Sequence, residues 1–282
     1  MAVSDRAGAG DGPGRATRAM RIVVLTGAGV SAESGLGTFR DKGGLWAKYD
    51  PMKLATPEAF ADDPGLVHAF YNARRANLLG AEPNAAHHAL TRLQSGLAAS
   101  GGRLSIVTQN VDDLHERAGS EDVLHMHGEL LKARCRACDA VSAWRTDLGT
   151  GDRCPSCNAQ GSLRPHVVWF GEMPFHLSEI QTLLSQADLF VAIGTSGAVY
   201  PAAGFVHDAR MHGARTREMN LEPSDNHYRF HEADYGPATT IVPRWVDSLL
   251  SANDSRRDAN IARDDTPNLP PRQPGAASRR TG

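Results

Sequence analysis

The sequence predicts an α/β fold, a doubly wound parallel sheet with helices on both faces. Two observations carry that prediction. Short apolar runs of strand length, Ile22–Leu25, Leu104–Val107 and Leu189–Ile193, alternate with segments of helical period. Four strand ends carry glycine or polar clusters: Gly27-Ala28-Gly29, Gln109-Asn110, Gly194-Thr195-Ser196 and Asn220-Leu221-Glu222. In a parallel sheet such ends converge on one crevice at the point where the strand order reverses.

The first element is the run Ile22–Leu25, followed by Gly27, Gly29 and Ala32 at the spacing G-x-G-x-x-A. Glycines there let backbone N–H groups approach a pyrophosphate, and a helix N-terminus adds positive potential. No acidic residue closing a second strand about 20 positions on is evident, which sets the chain apart from a dinucleotide dehydrogenase. A Gly-bounded loop with Phe39 and Arg40 stands there instead, a loop suited to fold over a ligand with Arg40 on phosphate.

Thr56-Pro57 and Asp63-Pro64 read as helix starts, with an oxygen cap followed by proline. The helix over about 64–79 carries Val67, Tyr71, Arg74 and Leu78 on one stripe and Leu66, Phe70 and Ala73 on another. A helix through Ala89, Leu90 and Leu93 ends at Gly101-Gly102. Val123–His127 reads as extended, and Val167–Phe170 as an extended apolar segment ending at Gly171-Glu172. Helices follow around Leu177–Leu184 and near 201–212, with a strand around Glu218–Leu221. A last apolar strand-like piece precedes a Trp245–Leu250 helix.

Composition bounds the rest. With 282 residues, 41% hydrophobic and a net charge of −2, the chain can bury a sizeable core and has no basic footprint for nucleic acid. No apolar run approaches the length of a membrane span, and residues 1–18 lack the apolar stretch of a secretory signal. Residues 1–18 and 251–282 are expected to be disordered tails around a catalytic region at 19–250. That region holds a helical insertion at about 44–83 and a small module at about 130–165.

That module contains all four cysteines, as Cys135-x-x-Cys138 and Cys154-x-x-Cys157 with 15 residues between the pairs. Two such knuckles complete a tetrahedron around one ion. All four positions are thiolates, which leaves no open site and predicts structural zinc. Clustered cysteines also predict a reducing compartment, hence the cytoplasm.

The motifs GAGVSAESGLGTFRD, TQNVDDLH, HMHGEL, the double C-x-x-C, RPHVVWFGE, GTS and NLE, in this order over about residues 20–248, resemble the sirtuins, the NAD-dependent protein lysine deacylases. The resemblance implies a Rossmann-like fold with a zinc ribbon, and NAD consumed as co-substrate. In that family the acyl-lysine amide oxygen attacks the anomeric carbon as nicotinamide leaves. A histidine then activates a ribose hydroxyl, and the products are free lysine and an O-acyl-ADP-ribose. By resemblance His127 is the base, acting with Asn110. Gly27, Ala28, Gly29, Ser31, Ala32, Glu33, Thr38, Phe39, Arg40 and Trp46 belong to the cofactor loop. Gln109, Asn110, Val111 and Asp112 match the nicotinamide and ribose pocket. Gly194, Thr195 and Ser196 match phosphate and ribose contacts. Asn220, Leu221 and Glu222 match the adenosine ribose, and Ala238 an adenine edge. Val168, Trp169, Phe170, Gly171 and Glu172 match the segment that pairs with substrate peptide.

Tyr71 and Arg74 match the Tyr-x-x-Arg pair of class III sirtuins, which also share Thr38 before Phe39-Arg40. One turn apart on a helix, they offer a hydroxyl and a bidentate cation to a succinyl or malonyl tail. Leu36-Gly37 departs from the family's usual Ile-Pro. The implied partners are acylated-lysine proteins, with no nucleic acid and no membrane, and the chain is expected to be a monomer. Mono-ADP-ribosyl transfer and an NAD-binding zinc module without turnover are the alternative readings. Asn110 also has a local alternative, as the N-cap of a following helix.

Overall fold

The structure, a computed structural model, describes residues 19–37 and 53–264, the stretch 253–264 as backbone alone. In chain order the strands are β1 (Arg21–Thr26), β2 (Arg103–Thr108), β3 (Val123–His125), β4 (Gly128–Cys135), β5 (Val141–Ala143), β6 (Leu163–Val167), β7 (Leu189–Ile193), β8 (Arg215–Asn220) and β9 (Glu232–Tyr235). The helices are α1 (Pro57–Asp62), α2 (Pro64–Gly80), α3 (Ala85–Ala99), α4 (Leu114–Arg117), α5 (Leu177–Gln186), α6 (Phe205–Met211) and α7 (Ala238–Asp264).

The main sheet runs β3-β2-β1-β7-β8-β9 and every pairing in it is parallel. β1 is apolar without alternation because both its faces are covered. Ile22 and Val24 pack with Leu90, Leu93, Val242 and Trp245, largely from α3 and α7. Val23 and Leu25 pack with Leu184, Phe190 and Phe205 on the opposite face. A second, antiparallel sheet, β5-β4-β6, carries the cysteine module. Among the described residues no helix is long and apolar enough to cross a membrane.

The helix starts follow their caps. Thr56 Oγ1 accepts from Ala59 N at 3.0 Å, and Asp63 Oδ1 accepts from Leu66 N at 2.8 Å, each ahead of a first-turn proline. Asn84 and His87 form a reciprocal capping box on α3.

Several elements differ from expectation. The buried face of α2 is Val67, His68, Phe70, Tyr71, Arg75 and Leu78, whereas Leu66 and Ala73 are exposed. The strand expected at 167–170 lies at β6 instead, because Val168–Glu172 turns away to meet α1 and α2. β9 was not foreseen, since its sequence Glu-Ala-Asp-Tyr is polar. It is an edge strand whose Glu232 and Asp234 pair with Arg215 and Arg217 of β8. The strand-like piece before Trp245 is instead the start of α7. Thr240 N and Ile241 N both donate to the Pro237 carbonyl, which closes the first turn, and Pro243 sits inside the helix. α7 also continues past 250, where a disordered tail was expected, because Ser251–Asp264 contains neither glycine nor proline. The cysteine module encloses a small core of Ala133, Cys135, Leu148, Cys154 and Leu163.

The order reverses between β1 and β7, and there the two strand-end turns interlock. Gly27 N donates to Ile193 O and Gly29 N to Gly194 O, both at 3.0 Å. Gly194 has φ 63°, and a Cβ on it would lie 2.5 Å from Val30 N. A Cβ on Gly27 would lie 2.7 Å from Gly194 O. These glycines thus serve backbone-to-backbone approach, and the N–H groups of Gly27 and Gly29 are spent on carbonyls rather than held for phosphate. Gly194→Ala should therefore cost about 2–4 kcal/mol, from clash plus left-handed strain. A denaturant midpoint unchanged from the parent would contradict this.

Candidate active site

The crevice is built around a buried hydroxyl. Ser31 Oγ, just beyond β1, donates to Asp112 Oδ2 at 3.1 Å and accepts from Asn110 Nδ2 at 3.1 Å. His87 Nε2 lies 3.4 Å from the same oxygen. One side chain thus ties the β1 turn to the β2–α4 turn and to α3. Asn110 N donates to Thr108 Oγ1 at 3.0 Å, and Asp112 Oδ1 accepts from Leu114 N at 3.2 Å. The N-cap of α4 is Asp113 rather than Asn110, and the side-chain bond to its first residue comes from Asp112. Burial pushes the Asp112 carboxyl up, opposed by its bonds from Leu114 N and Ser31.

His127 follows β3. Its Nδ1 lies 3.1 Å from the Gln109 carbonyl, an acceptor only, so Nδ1 carries the proton and Nε2 carries the lone pair. Burial holds its pKa below 6.5, partly opposed by the Gln109 bond. The ring is therefore neutral at pH 7, with Nε2 competent to accept a proton. Gln109 also lines a cavity with Leu25, Ala192, Thr195 and Asn226, which joins the ends of β1, β2 and β7 in one crevice.

On the far side, the Thr195 carbonyl accepts from Asn220 Nδ2 at 2.7 Å, and the Ser196 carbonyl accepts from Asp225 N at 3.0 Å. Leu221 and Glu222 are exposed on the turn after β8. Sequence reasoning missed Glu218, which is fully buried and accepts from Ser224 N at 3.1 Å and from the Tyr235 hydroxyl at 2.9 Å, so holding that turn. An acid in the middle of a strand was the signal for it. Glu33 accepts from Thr239 N at 3.0 Å and from Thr239 Oγ1 at 2.6 Å. Its carboxylate therefore caps α7 beside half-buried Ala238.

On α2, burial holds the Arg74 pKa below its ordinary value, partly opposed by Tyr71 and the charge of Asp112. The Arg74 guanidinium lies 5.7 Å from both the Phe70 and Tyr71 ring centroids. Tyr71 is buried, and its hydroxyl accepts from Trp169 Nε1 at 3.0 Å, which leaves its own proton to donate. Val168 N donates to the His127 carbonyl at 2.8 Å and Phe170 N to the Ala55 carbonyl at 2.9 Å. Gly171 has φ 87°. Glu172 is taken up internally: Arg164 grips it at 2.6 and 2.9 Å, and it accepts from Trp169 N at 2.8 Å. Through these bonds it shapes the Val168–Phe170 segment. Thr38, Phe39, Arg40 and Trp46 lie outside the described residues.

The four cysteine sulfurs lie within 4.8 Å of one another, and Sγ–Sγ separations are 3.7 Å for Cys135–Cys157 and 3.8 Å for Cys138–Cys154. A tetrahedron with Zn–S near 2.3 Å has edges of about 3.8 Å. The two knuckles repeat one another. Ala137 N and Ser156 N point at Cys135 and Cys154 Sγ at 3.3 and 3.4 Å, and each knuckle closes on a left-handed residue, Asp139 or Asn158. The donor set fits one zinc ion.

A dinucleotide crevice at a parallel-sheet switch point, a tautomer-locked histidine at its edge and a four-thiolate module define a nucleotide-binding enzyme class. Residues 27–201 match the Sir2 family. The chain is 60% identical over 232 residues to an NAD-dependent protein deacylase of Caulobacter vibrioides, covering 82% of this chain and 98% of that one. A Sir2 homologue–NAD complex superposes with a TM-score of 0.74 at 38% identity, covering 82% of this chain and 90% of that one. A Sir2 protein bound to an acetylated peptide superposes with a TM-score of 0.69 at 28% identity, covering 80% and 92%. The chain belongs to the Sir2 family.

Two expectations follow from the site. Purified protein should carry about one zinc per chain by elemental analysis, and Cys154→Ser should lose both the metal and several kcal/mol of stability; a metal-free, fully stable chain would contradict this. Buried His87 is neutral in the fold, with its pKa lowered by burial to about 4, and His115 lies well below 6.5 for the same reason. The unfolded chain takes up protons below about pH 6.5 that the fold refuses. Stability should be full above that pH and fall by up to about 3 kcal/mol for His87 alone as pH drops towards 4. A flat stability profile from pH 7 to 4 would contradict it.

Proposed function

We propose that this chain is an NAD-dependent protein lysine deacylase that removes acidic acyl groups as well as acetyl. The observation that carries the reading is the tautomer lock on His127 at the crevice edge. When bound, NAD would supply an electrophilic anomeric carbon and a ribose hydroxyl. His127 Nε2 takes the proton of that hydroxyl. Gln109, Asn110 and Asp112 orient the nicotinamide ribose, with Ser31 holding the latter two in register. Thr195, Ser196, Asn220 and Glu222 hold the distal half. A carboxylate at Glu222 favours free ribose hydroxyls over a phosphate. Thr38, Phe39, Arg40 and Trp46 are assigned to the covering loop on sequence grounds.

The acylated side chain enters against α2. The Tyr71 hydroxyl donates to a terminal carboxylate, and Arg74 meets it as a planar cation. Cys135, Cys138, Cys154 and Cys157 would hold structural zinc, remote from the proton transfer. A cluster that needs reduced thiols supports a cytoplasmic location.

His127→Ala should lower kcat by about 10²–10⁴ with little change in fold. Because burial lowers the imidazole pKa, the neutral base persists below pH 6.5 and the acid limb of the rate should lie below that value. Arg74→Met should lose desuccinylation by about a hundredfold while deacetylation of the same peptide changes a few-fold, given what a buried charge-assisted contact contributes. Equal losses on the two substrates would overturn the acidic-acyl reading, and undiminished turnover in His127→Ala would overturn the base.

A further inference from the structure

His125 has no assigned role, yet neither of its ring nitrogens is idle. Nδ1 lies 3.2 Å from the Asn110 carbonyl oxygen and Nε2 lies 2.6 Å from Glu116 Oε1. A carbonyl and a carboxylate both accept, and only the imidazolium donates from both ring nitrogens. A neutral ring would set a lone pair against one of the two oxygens. The side chain is buried, while Glu116 on α4 is 41% exposed.

We propose that His125, held as an imidazolium by Glu116, is a positioning residue that clamps the Asn110 carbonyl and so fixes the turn presenting Gln109, Asn110 and Asp112. It rests on the functional reading above for what that turn binds. Asn110 is then tethered three ways: its N–H to Thr108, its amide to Ser31 and its carbonyl to His125. Removing the third leaves the peptide between Asn110 and Val111 free to rotate, which misaims the side chains on either side.

The surroundings agree. Burial lowers the His125 pKa, but the hydrogen bond and charge of Glu116, with Glu129 of β4 and the Asn110 carbonyl, raise it overall. The imidazolium's charge eases Asp112 towards ionisation, while it pushes His115 of α4 further towards neutrality. A group with a raised folded-state pKa keeps its contribution at low pH and loses it as pH rises through that value. NAD capture should therefore weaken on the alkaline side, whereas the His127 requirement sets the acid side.

Two measurements on the full chain decide this. Long-range ¹H–¹⁵N NMR of histidine-labelled protein reads the ring directly. Both His125 nitrogens should be protonated at pH 7, and Glu116→Gln should lower the pH of deprotonation by about one unit. In steady-state kinetics, the alkaline limb of kcat/KM for NAD should move down by that same unit in Glu116→Gln, about tenfold at a fixed pH, mainly through KM. The acid limb should stay in place, and Glu116→Asp should restore most of the shift. A His125 ring singly protonated at pH 6.5 in the parent chain, or an alkaline limb unmoved by Glu116→Gln, overturns the proposal. Absence of any NAD-dependent turnover would count against the functional reading alone, and the NMR result would then decide the clamp.

Discussion

The site depends on a contact with no side chains in it. At the switch point the turn after β1 lies directly on the turn after β7, with Gly29 N–H on the Gly194 carbonyl at 3.0 Å. Any Cβ at Gly27, Gly29 or Gly194 would meet backbone at 2.5–2.7 Å. Because the turns are locked, Ser31 is delivered to a fixed place, and from there it organises Asn110, Asp112 and His87. The chemistry sits on a rigid platform because the sheet's own backbone closes around it.

Histidines do most of the remaining work, and burial sorts their tasks. His87 caps α3 through Nδ1 and approaches Ser31 through Nε2 as a neutral ring. His115 packs edge-on against it, with ring centroids 4.9 Å apart. His127 is neutral with a bare Nε2, and His125 sits between two acceptors. Burial lowers the pKa of three of these neighbouring imidazoles, and that of the fourth, His125, is raised because Glu116 faces it. Composition alone could not assign them.

Much of the architecture was legible from the sequence because its signals are local. Apolar runs of strand length, Thr-Pro and Asp-Pro helix starts and paired C-x-x-C knuckles each act over a few residues. What was not legible depends on partners distant in sequence. β9 is a strand because Arg215 and Arg217 lie beside its acids. Glu33 caps a helix 206 positions away. Arg164 grips Glu172 across eight positions, a pairing that no local pattern signals. The glycines of the opening turn were assigned to phosphate, yet two of them serve the fold first. The residues proposed to carry the chemistry, His127, Asn110 and Asp112, stand out in the sequence only through the family resemblance of HMHGEL and TQNVDDLH. The structure adds the contact of His127 Nδ1 with the Gln109 carbonyl, which fixes its tautomer.

The central claim is that this crevice consumes a dinucleotide to free a lysine. The most direct measurement is the stoichiometry of one reaction containing the full chain, NAD and a succinyl-lysine peptide, with products resolved by mass spectrometry. The account predicts one nicotinamide and one O-succinyl-ADP-ribose for each lysine freed. Lysine freed without nicotinamide release, or NADH accumulating in its place, would contradict it.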